Sequence, residues 1–364
     1  MSLTAPVAIV GASFGGLACG QALAERGFPA TIIERKSEAG EKPHTTGILV
    51  REVVDELDWL GPLPERVARR IDGVRLYAPN MRSVDLSAPG YYFLATDTPA
   101  LMRLLARRCE EAGARIQYGA VFTGGKATAN GYALEDGSEA CYLVGADGPK
   151  SHVAKTLALG ENRRFIFGVE HEYESVDFDA CDRLHCFIDR RLAPGYIGWL
   201  VSGVGVTQVG LARRFGEGSA AAAKSAMEAF LCKIAPIADF RHRAPTNVRA
   251  GLIPCGGLVS PLAAPRALLV GDAAGMVSPV TAGGIHTALR HGRAAGMAIA
   301  DFLAGRGDDP AIWLPQSYPR FRMKRALRWA YDNFQSDTAF NLLLRSSAMR
   351  AAASIVFFHR MRAK

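Results

Sequence analysis

Three features of the 364-residue sequence point to an α/β protein with two interlocked domains. A strand, a glycine-rich turn, a helix and a second strand follow one another within residues 7–34, the unit that builds parallel sheets. Residues 165–211 form a strand-rich run with the patterning of an antiparallel sheet. From Ile312 onward the chain reads as helical, basic and partly aromatic.

The opening unit is the most informative. The apolar strand at residues 7–10 runs into Gly11-Ala12-Ser13-Phe14-Gly15-Gly16, and a helix is expected over residues 15–26. Gly11 permits the sharp turn out of the strand, and Gly16 lets helix and strand approach closely. Ser13 stands where such turns carry their second glycine, so its side chain must turn away from a bound phosphate or hydrogen-bond to it. The free N–H groups of the helix start, with a partial charge of about +0.5, suit a bridging phosphate. A second strand at residues 30–33 is closed by Glu34, which can accept hydrogen bonds from both ribose hydroxyls. That favours FAD or NAD over NADP, whose 2′-phosphate it would repel.

The remaining elements follow in order. Pro43, Gly47 and the small polar residues between them predict a loop crossing the ligand. A helix resumes near Val50, with Val53, Val54 and Leu57 as its buried face. Short strands are expected at residues 73–77 and 82–86. Another, at residues 91–94, leads into a helix capped by Asp97 or Thr98, with Pro99 in its first turn and Gly113 at its end. Residues 114–118 continue the parallel sheet. Strands at residues 132–134 and 140–144 flank the hairpin signal Asp136-Gly137, and the second runs into Gly145-Ala146-Asp147-Gly148. Residues 219–235 have helical spacing, and residues 251–258 read as a strand and turn. A strand at residues 267–270 ends at Gly271-Asp272. A loop through Pro279 leads to Gly283-Gly284, which open a long helix to about Leu303.

The bulk properties narrow the function. The formal charge is +8, dense from Arg320 to Arg328 and again at Arg345, Arg350, Arg360 and Arg362. A solvated surface, an anionic substrate or an acidic membrane surface would account for it; no nucleic-acid module is present. The seven cysteines are scattered, without metal-ligand spacing, as expected for reduced thiols in a cytoplasmic protein. No secretory signal and no membrane-spanning run is apparent.

Three motifs, at these distances and in this order, carry a resemblance. They are the turn beginning at Gly11 with its Glu34, the segment Val144-Gly145-Ala146-Asp147-Gly148, and the loop from Gly271 through Pro279 to Ile285. Together they resemble the FAD-dependent oxidoreductases built on the para-hydroxybenzoate hydroxylase fold, and within them the geranylgeranyl reductase-like group. Gly275 stands where the aromatic hydroxylases usually carry histidine, and the segment around Trp199 resembles the group's substrate-sheet motif. The resemblance implies an FAD-binding Rossmann-like domain with a parallel sheet, interlocked with an antiparallel-sheet substrate domain and followed by a helical C-terminus. The FAD-binding domain would comprise residues 1–75, 95–160 and 250–305, the substrate domain residues 76–94 and 161–249, and the helical region residues 306–364.

On this resemblance FAD would contact Gly11, Ser13, Phe14, Gly15, Gly16, Glu34, Arg35, Thr45, Thr98, Val121, Asp147, Asp272, Pro279, Gly283, Gly284 and Ile285. Asp272 would accept a hydrogen bond from the ribityl chain. Gly283 and Gly284 would present helix-start amides to the anionic reduced ring, and Pro279 would wall its reactive side. Val121 would contact adenine through its backbone. Asp147 would serve the architecture, with a cofactor contact. Arg51 matches an arginine common near the flavin, though a helix-surface role accounts for it equally well. The family's FAD-binding arginine is replaced by Thr98, and Arg103, five residues on, faces elsewhere. Tyr196 and Trp199 are the substrate candidates, with Phe167 and Phe187 as further tunnel liners; aromatic residues on a sheet also serve as core. His44, His286 and His291 are the histidines that titrate near neutrality.

The expected activity is hydride transfer through FAD to or from an apolar, isoprenoid- or lipid-like substrate. The alternatives are an NAD(P)H-consuming monooxygenase of a small hydrophobic substrate and a non-catalytic FAD-binding protein. NADH or NADPH would act as a transient reductant, or a ferredoxin-like protein would be the electron donor. The basic C-terminal region would give a peripheral contact with a membrane.

Overall fold

The structure is a computed structural model that describes residues 6–216 and 219–358. Its first sheet has six strands in the order Ala263–Ala264, Ala267–Leu269, Tyr142–Gly145, Val7–Val10, Ala30–Glu34, Arg115–Tyr118. All pairings are parallel except the edge pair of Ala263–Ala264 with Ala267–Leu269. The strand Val7–Val10 lies within this sheet and is apolar throughout, because helices cover both faces.

The first helix, Phe14–Glu25, and the long helix Ile285–Leu303 cross at close range. Small residues make this possible: a Cβ on Gly292 would lie 2.2 Å from the carbonyl oxygen of Gly15, and one on Gly296 would lie 2.4 Å from that of Cys19. The two glycine-opened helices are thereby locked to each other. The helix Thr98–Glu111 packs on the same first helix, with Asp97 as its N-cap accepting from the amide of Ala100 at 3.0 Å.

The second sheet has seven strands, ordered Asn247–Pro254, Phe165–Glu174, Val206–Arg214, Gly198–Ser202, Arg183–Phe187, Gly73–Tyr77, Ser83–Leu86. It is antiparallel except where Gly73–Tyr77 runs parallel to Arg183–Phe187. Sequence boundaries at residues 75 and 250 fall inside two of these strands; their pairing places all of Gly73–Tyr77 and Asn247–Pro254 with this sheet. The helix Ser219–Ile234 covers one face, where Phe230, Met227 and Phe240 form a core with Phe187 and Tyr77. Phe187 stacks on Tyr77 at 4.4 Å between ring centroids, on the side away from the cavity described below.

A three-stranded sheet, Ile48–Val50, Phe93–Thr96 and Ala68–Ile71, lies between the two domains. The helix after Val50 is short, Glu52–Glu56; Val53 and Leu57 are buried as expected, but Val54 is 42% exposed. The predicted second hairpin strand divides. Glu139–Ala140 completes the hairpin, and Tyr142–Gly145 joins the parallel sheet.

The C-terminal region forms the helices Pro310–Trp313, Arg322–Phe334, Asp337–Leu343 and Ser347–Phe358. The last is anchored by Phe358, whose ring meets those of Tyr91 and Phe93. Arg360 and Arg362 lie outside the described residues. Among the described residues no helix is long and apolar enough to cross a membrane, and no His, Cys, Asp and Glu grouping could hold a metal ion. All seven cysteines are free.

Candidate functional site

One cavity of about 1280 Å³ is lined at one end by the Gly11–Gly15 turn and further along by Gly283, Gly284 and Ile285. It continues under the second sheet to Tyr196, Trp199 and the C-terminal helices. The two glycine-lined helix starts therefore open on the same space.

At the first helix start, Gly11 has φ +103°, and a Cβ there would lie 2.4 Å from the carbonyl oxygen of Ala146. A Cβ on Gly16 would sit 2.0 Å from the carbonyl oxygen of Gly11, so this glycine sets the helix-to-strand distance rather than lining the wall. The amide of Leu17 is the first to bond back, to Ser13 O at 2.9 Å, leaving the amides of Phe14, Gly15 and Gly16 without intrahelical partners. Ser13 is the N-cap residue, yet its exposed hydroxyl makes no capping bond. Glu34, 9% exposed, braces the turn: Oε2 accepts from the amide of Ala12 at 2.7 Å and Oε1 from that of Lys36 at 2.9 Å. Each oxygen keeps lone-pair capacity for a ribose hydroxyl.

Arg35 and Val121 are exposed at the rim of this end, and the amide of Ala120 is occupied by Glu34 O at 3.0 Å. Thr98 is fully buried on the wall, with its hydroxyl 3.3 Å from that of Thr96. Both hydroxyls press on Gly47, where a Cβ would lie 2.0 Å from Thr98 Oγ1. No arginine side chain could replace Thr98 without moving that loop. Arg103 lines a separate hollow, as its helical offset predicts. Asp147 lines the cavity, but its carboxylate is spent on the chain. It accepts from Ser151 Oγ at 2.6 Å and from the amides of His152 and Val153 at 2.6 and 3.1 Å, capping the helix His152–Thr156.

At the ring end, the carboxylate of Asp272 has no hydrogen-bond donor among the described residues, and burial pushes it up to about 6. A Cβ on Gly284 would lie 3.4 Å from Asp272 Oδ1, which puts this unpartnered acceptor beside the helix start. The first bond back in the long helix is from Ala288 to Gly284 O at 2.8 Å, so the amides of Ile285, His286 and Thr287 have no partner within it. The turn that delivers the chain there is tight, with Ala282 at φ +51°. Pro279 is buried behind it and does not line the cavity; Val280 and Thr281 form that wall instead. Gly275 has a backbone reason: φ is +71°, and a Cβ would lie 2.3 Å from Gly257 O.

The 43–47 loop crosses from the first domain and is stapled to the second sheet. His44 Nδ1 pairs with Ala250 O at 2.8 Å, Arg249 donates to Thr45 O at 3.1 Å, and Gln208 donates to Thr46 O at 3.2 Å. His44 and Thr45 line the cavity. Burial lowers the His44 pKa, so its ring is neutral at pH 7. His286 instead pairs with Glu56 on the surface at 3.1 Å, and His291 packs on Tyr318, where burial pushes it down to about 4. Arg51 also lies away from the cavity, bonded to Gly90 O at 2.5 Å, which leaves it the helix-surface role.

Trp199, Tyr196 and Phe167 line the sheet wall, whereas Phe187 belongs to the opposite face. A Cβ on Gly210 would lie 2.3 Å from the Trp199 ring, so the indole lies flat across that glycine. Sequence reasoning missed the polar cluster beneath it: Glu170, Glu172, Gln208 and Arg249, all at least nine-tenths buried. Two acids at alternate positions of a mostly apolar strand were the available signal, since such residues share a face.

These features fit FAD. The unpaired helix-start amides could take its phosphates, Glu34 its ribose, and Asp272 and the Gly283-Gly284 turn its other half. The family model described as FAD binding domain matches residues 4–329. Digeranylgeranylglycerophospholipid reductase 2 of Methanopyrus kandleri is 30% identical over 309 residues, 81% of this chain and 76% of the relative. A geranylgeranyl bacteriochlorophyll reductase-like protein from Thermoplasma acidophilum superimposes with a TM-score of 0.84 at 18% identity, covering 98% of this chain and 97% of that one. A probable FAD-dependent monooxygenase from Pseudomonas aeruginosa gives 0.69 at 18% identity, covering 96% and 99%. The chain belongs to the FAD binding domain family and is an FAD-dependent oxidoreductase of the geranylgeranyl reductase-like group.

Proposed function

We propose that the protein reduces carbon–carbon double bonds in the isoprenoid chains of a lipid. The observation that carries this reading is the cavity. At about 1280 Å³ it exceeds the usual single-ligand range of roughly 300–1,000 Å³ and runs on from the cofactor half beneath an apolar sheet face. Phe167, Trp199 and Leu184 on the sheet, with Tyr331, Phe340 and Phe357 on the C-terminal helices, give a long apolar lining suited to a chain. The Methanopyrus relative, a digeranylgeranylglycerophospholipid reductase, supports the same substrate class.

FAD would be held by Gly11, Ser13, Phe14, Gly15 and Glu34 at its nucleotide end, and by Asp272, Gly283, Gly284 and Ile285 at its ring. Gly16 would act by packing. Bound FAD supplies a hydride when reduced. The chain's part is to orient the alkene against the ring and to exclude water from the reaction. The described residues hold no second Rossmann unit beside that of residues 7–34, so NADH, NADPH or a ferredoxin-like donor would dock transiently.

The C-terminal helices would rest on a membrane surface. Trp329, Phe334, Leu342 and Leu343 are 59%, 70%, 76% and 49% exposed, on segments that also carry Arg322, Lys324, Arg325 and Arg345. Apolar side chains flanked by cations suit an anionic bilayer, and the same helices wall the cavity.

Anaerobic incubation of the dithionite-reduced, flavin-loaded protein with a geranylgeranyl-chain lipid tests the reading. Saturated product and reoxidised flavin are expected. Oxygen-dependent hydroxylation with no anaerobic product would replace it with the monooxygenase reading.

A further inference from the structure

Beneath the Trp199 indole, two carboxylates share one cation. Glu170 and Glu172 are 4% and 7% exposed and lie on the same strand; Arg249, 7% exposed, stands opposite Glu170 on the adjoining strand. Arg249 commits Nη2 to Glu172 Oε1 and stays 3.7 Å from Glu170 Oε1. Glu172 also accepts from Gln208 Nε2 at 3.3 Å and Asn247 Nδ2 at 3.0 Å, so it is the ionised partner. One surplus negative charge remains, and burying it unpaired is costly.

One orphaned atom locates the proton that removes it. Glu170 Oε2 accepts from the Trp199 indole at 2.8 Å, but Oε1 is buried without a hydrogen-bond partner. Gln208 Oε1, also buried without a donor, lies away from it beside Gly203. Gln208 stands opposite Glu172 in the strand register, and its Nε2 is committed to Glu172 and to Thr46 O. A proton at Glu170 Oε1 makes the carboxyl neutral, and a neutral group with an orphaned oxygen is far less costly to bury than an unpaired carboxylate.

We propose that Glu170 is held protonated and is the acid that delivers the proton accompanying hydride addition to a double bond in this cavity. Its role, though not its protonation, rests on the reductase reading. Glu170, Trp199 and Arg249 all line the cavity. FAD bound here would supply, when reduced, a hydride to one alkene carbon, and Glu170 would give its proton to the other. Two C–H bonds would replace the π bond, the two electrons coming from the flavin, which would be left oxidised. Glu170 is left as a carboxylate beside Arg249 and regains its proton from solvent. Burial raises the Glu170 carboxyl, and the Glu172 charge adds to the effect, against the opposing pull of Thr46, Arg249 and Trp199. The groups facing it are those of Glu172 on its own strand, Arg249 and Trp199 on the other strands, and Thr46 on the crossing loop. His44, on that loop, turns to Ala250 O.

Glu170→Gln and Glu172→Gln in the flavin-loaded protein separate the possibilities. If Glu170 is protonated, the amide replaces one neutral group with another. The melting temperature then moves by no more than about 2 °C, while Glu172→Gln strips Arg249 of its partner and lowers it by roughly 6–15 °C. The infrared C=O band of a protonated carboxyl, present at pH 7.5, should vanish in Glu170→Gln. In anaerobic single turnover with a geranylgeranyl-chain lipid, Glu170→Gln should be about 10²- to 10⁴-fold slower, with dithionite reduction of its flavin unchanged. A missing band together with an E170Q melting loss as large as that of E172Q would overturn the protonation; wild-type turnover by E170Q would overturn the role. If wild-type protein reduces no isoprenoid lipid, the reductase reading and this role fall together, and the infrared and melting results still decide the protonation.

Discussion

Replacing Asp272 with asparagine separates what the carboxylate does for the ligand from what it costs the chain. No protein group donates to it among the described residues, and burial pushes its pKa up to about 6 from an ordinary 3.8. A raised carboxyl pKa means that the folded state binds the proton more tightly than the unfolded one. Ionising Asp272 therefore opposes folding of the flavin-free protein. The penalty is absent below the unfolded pKa, grows as pH rises between the two values, and is complete above the folded one. It comes to about 3 kcal/mol at pH 7.5 and about 1 kcal/mol at pH 4.5. Asp272→Asn should remove it. In urea unfolding of the flavin-free protein the variant should gain roughly those amounts, with the gain shrinking toward low pH. The same change should weaken flavin binding about 10- to 100-fold, because a hydrogen bond to a charged group contributes about 1.5–3 kcal/mol. A variant less stable than wild type without flavin at pH 7.5 would refute the reasoning, since it would mean the carboxylate has partners within the protein.

Three further substitutions probe other parts of the account. Gly16→Ala puts a methyl 2.0 Å from Gly11 O, and the helix cannot retreat because Gly292 is packed on Gly15; the purified protein should be colourless, and a full complement of flavin would contradict this. Gly210→Ala drives a methyl into the Trp199 ring and tilts the indole. Flavin content should hold while KM for a long-chain substrate rises about tenfold, and an unchanged KM would remove Trp199 from the substrate wall. Phe334→Asp with Leu342→Asp should cut sedimentation with anionic lipid vesicles at least tenfold, on an estimate of about 1–2 kcal/mol per exposed side chain; equal sedimentation would leave the patch without a membrane role.

The nucleotide end was legible because local backbone demands dictate its residues. Gly11 must take a positive φ, Gly16 must have no side chain, and an acid must end the second strand. Asp272, Gly283, Gly284 and Ile285 line the same cavity, and Gly275 proves to be held by its backbone. Pro279 was expected at the cavity but lies behind it, because sequence distance does not say which side of a turn faces a cavity; Arg51, left open between two roles, takes the helix surface. Phe187 fell on the wrong face because only the pairing of Arg183–Phe187 with its neighbours fixes the inward set. The Glu170–Glu172–Arg249 cluster joins residues nearly 80 positions apart, and only the strand register reveals it. The locking of the two helices through Gly292 and Gly296 was hidden in the same way: a small-residue stripe does not name its partner.

A crystal structure of the flavin-loaded protein would place the cofactor. The pyrophosphate should lie on the amides of Phe14 and Gly15 with the ribose on Glu34, and the isoalloxazine should lie against Gly283 and Gly284 with Asp272 bonded to the ribityl chain. A flavin bound outside this cavity, or lying in it with its ends exchanged, would contradict the account.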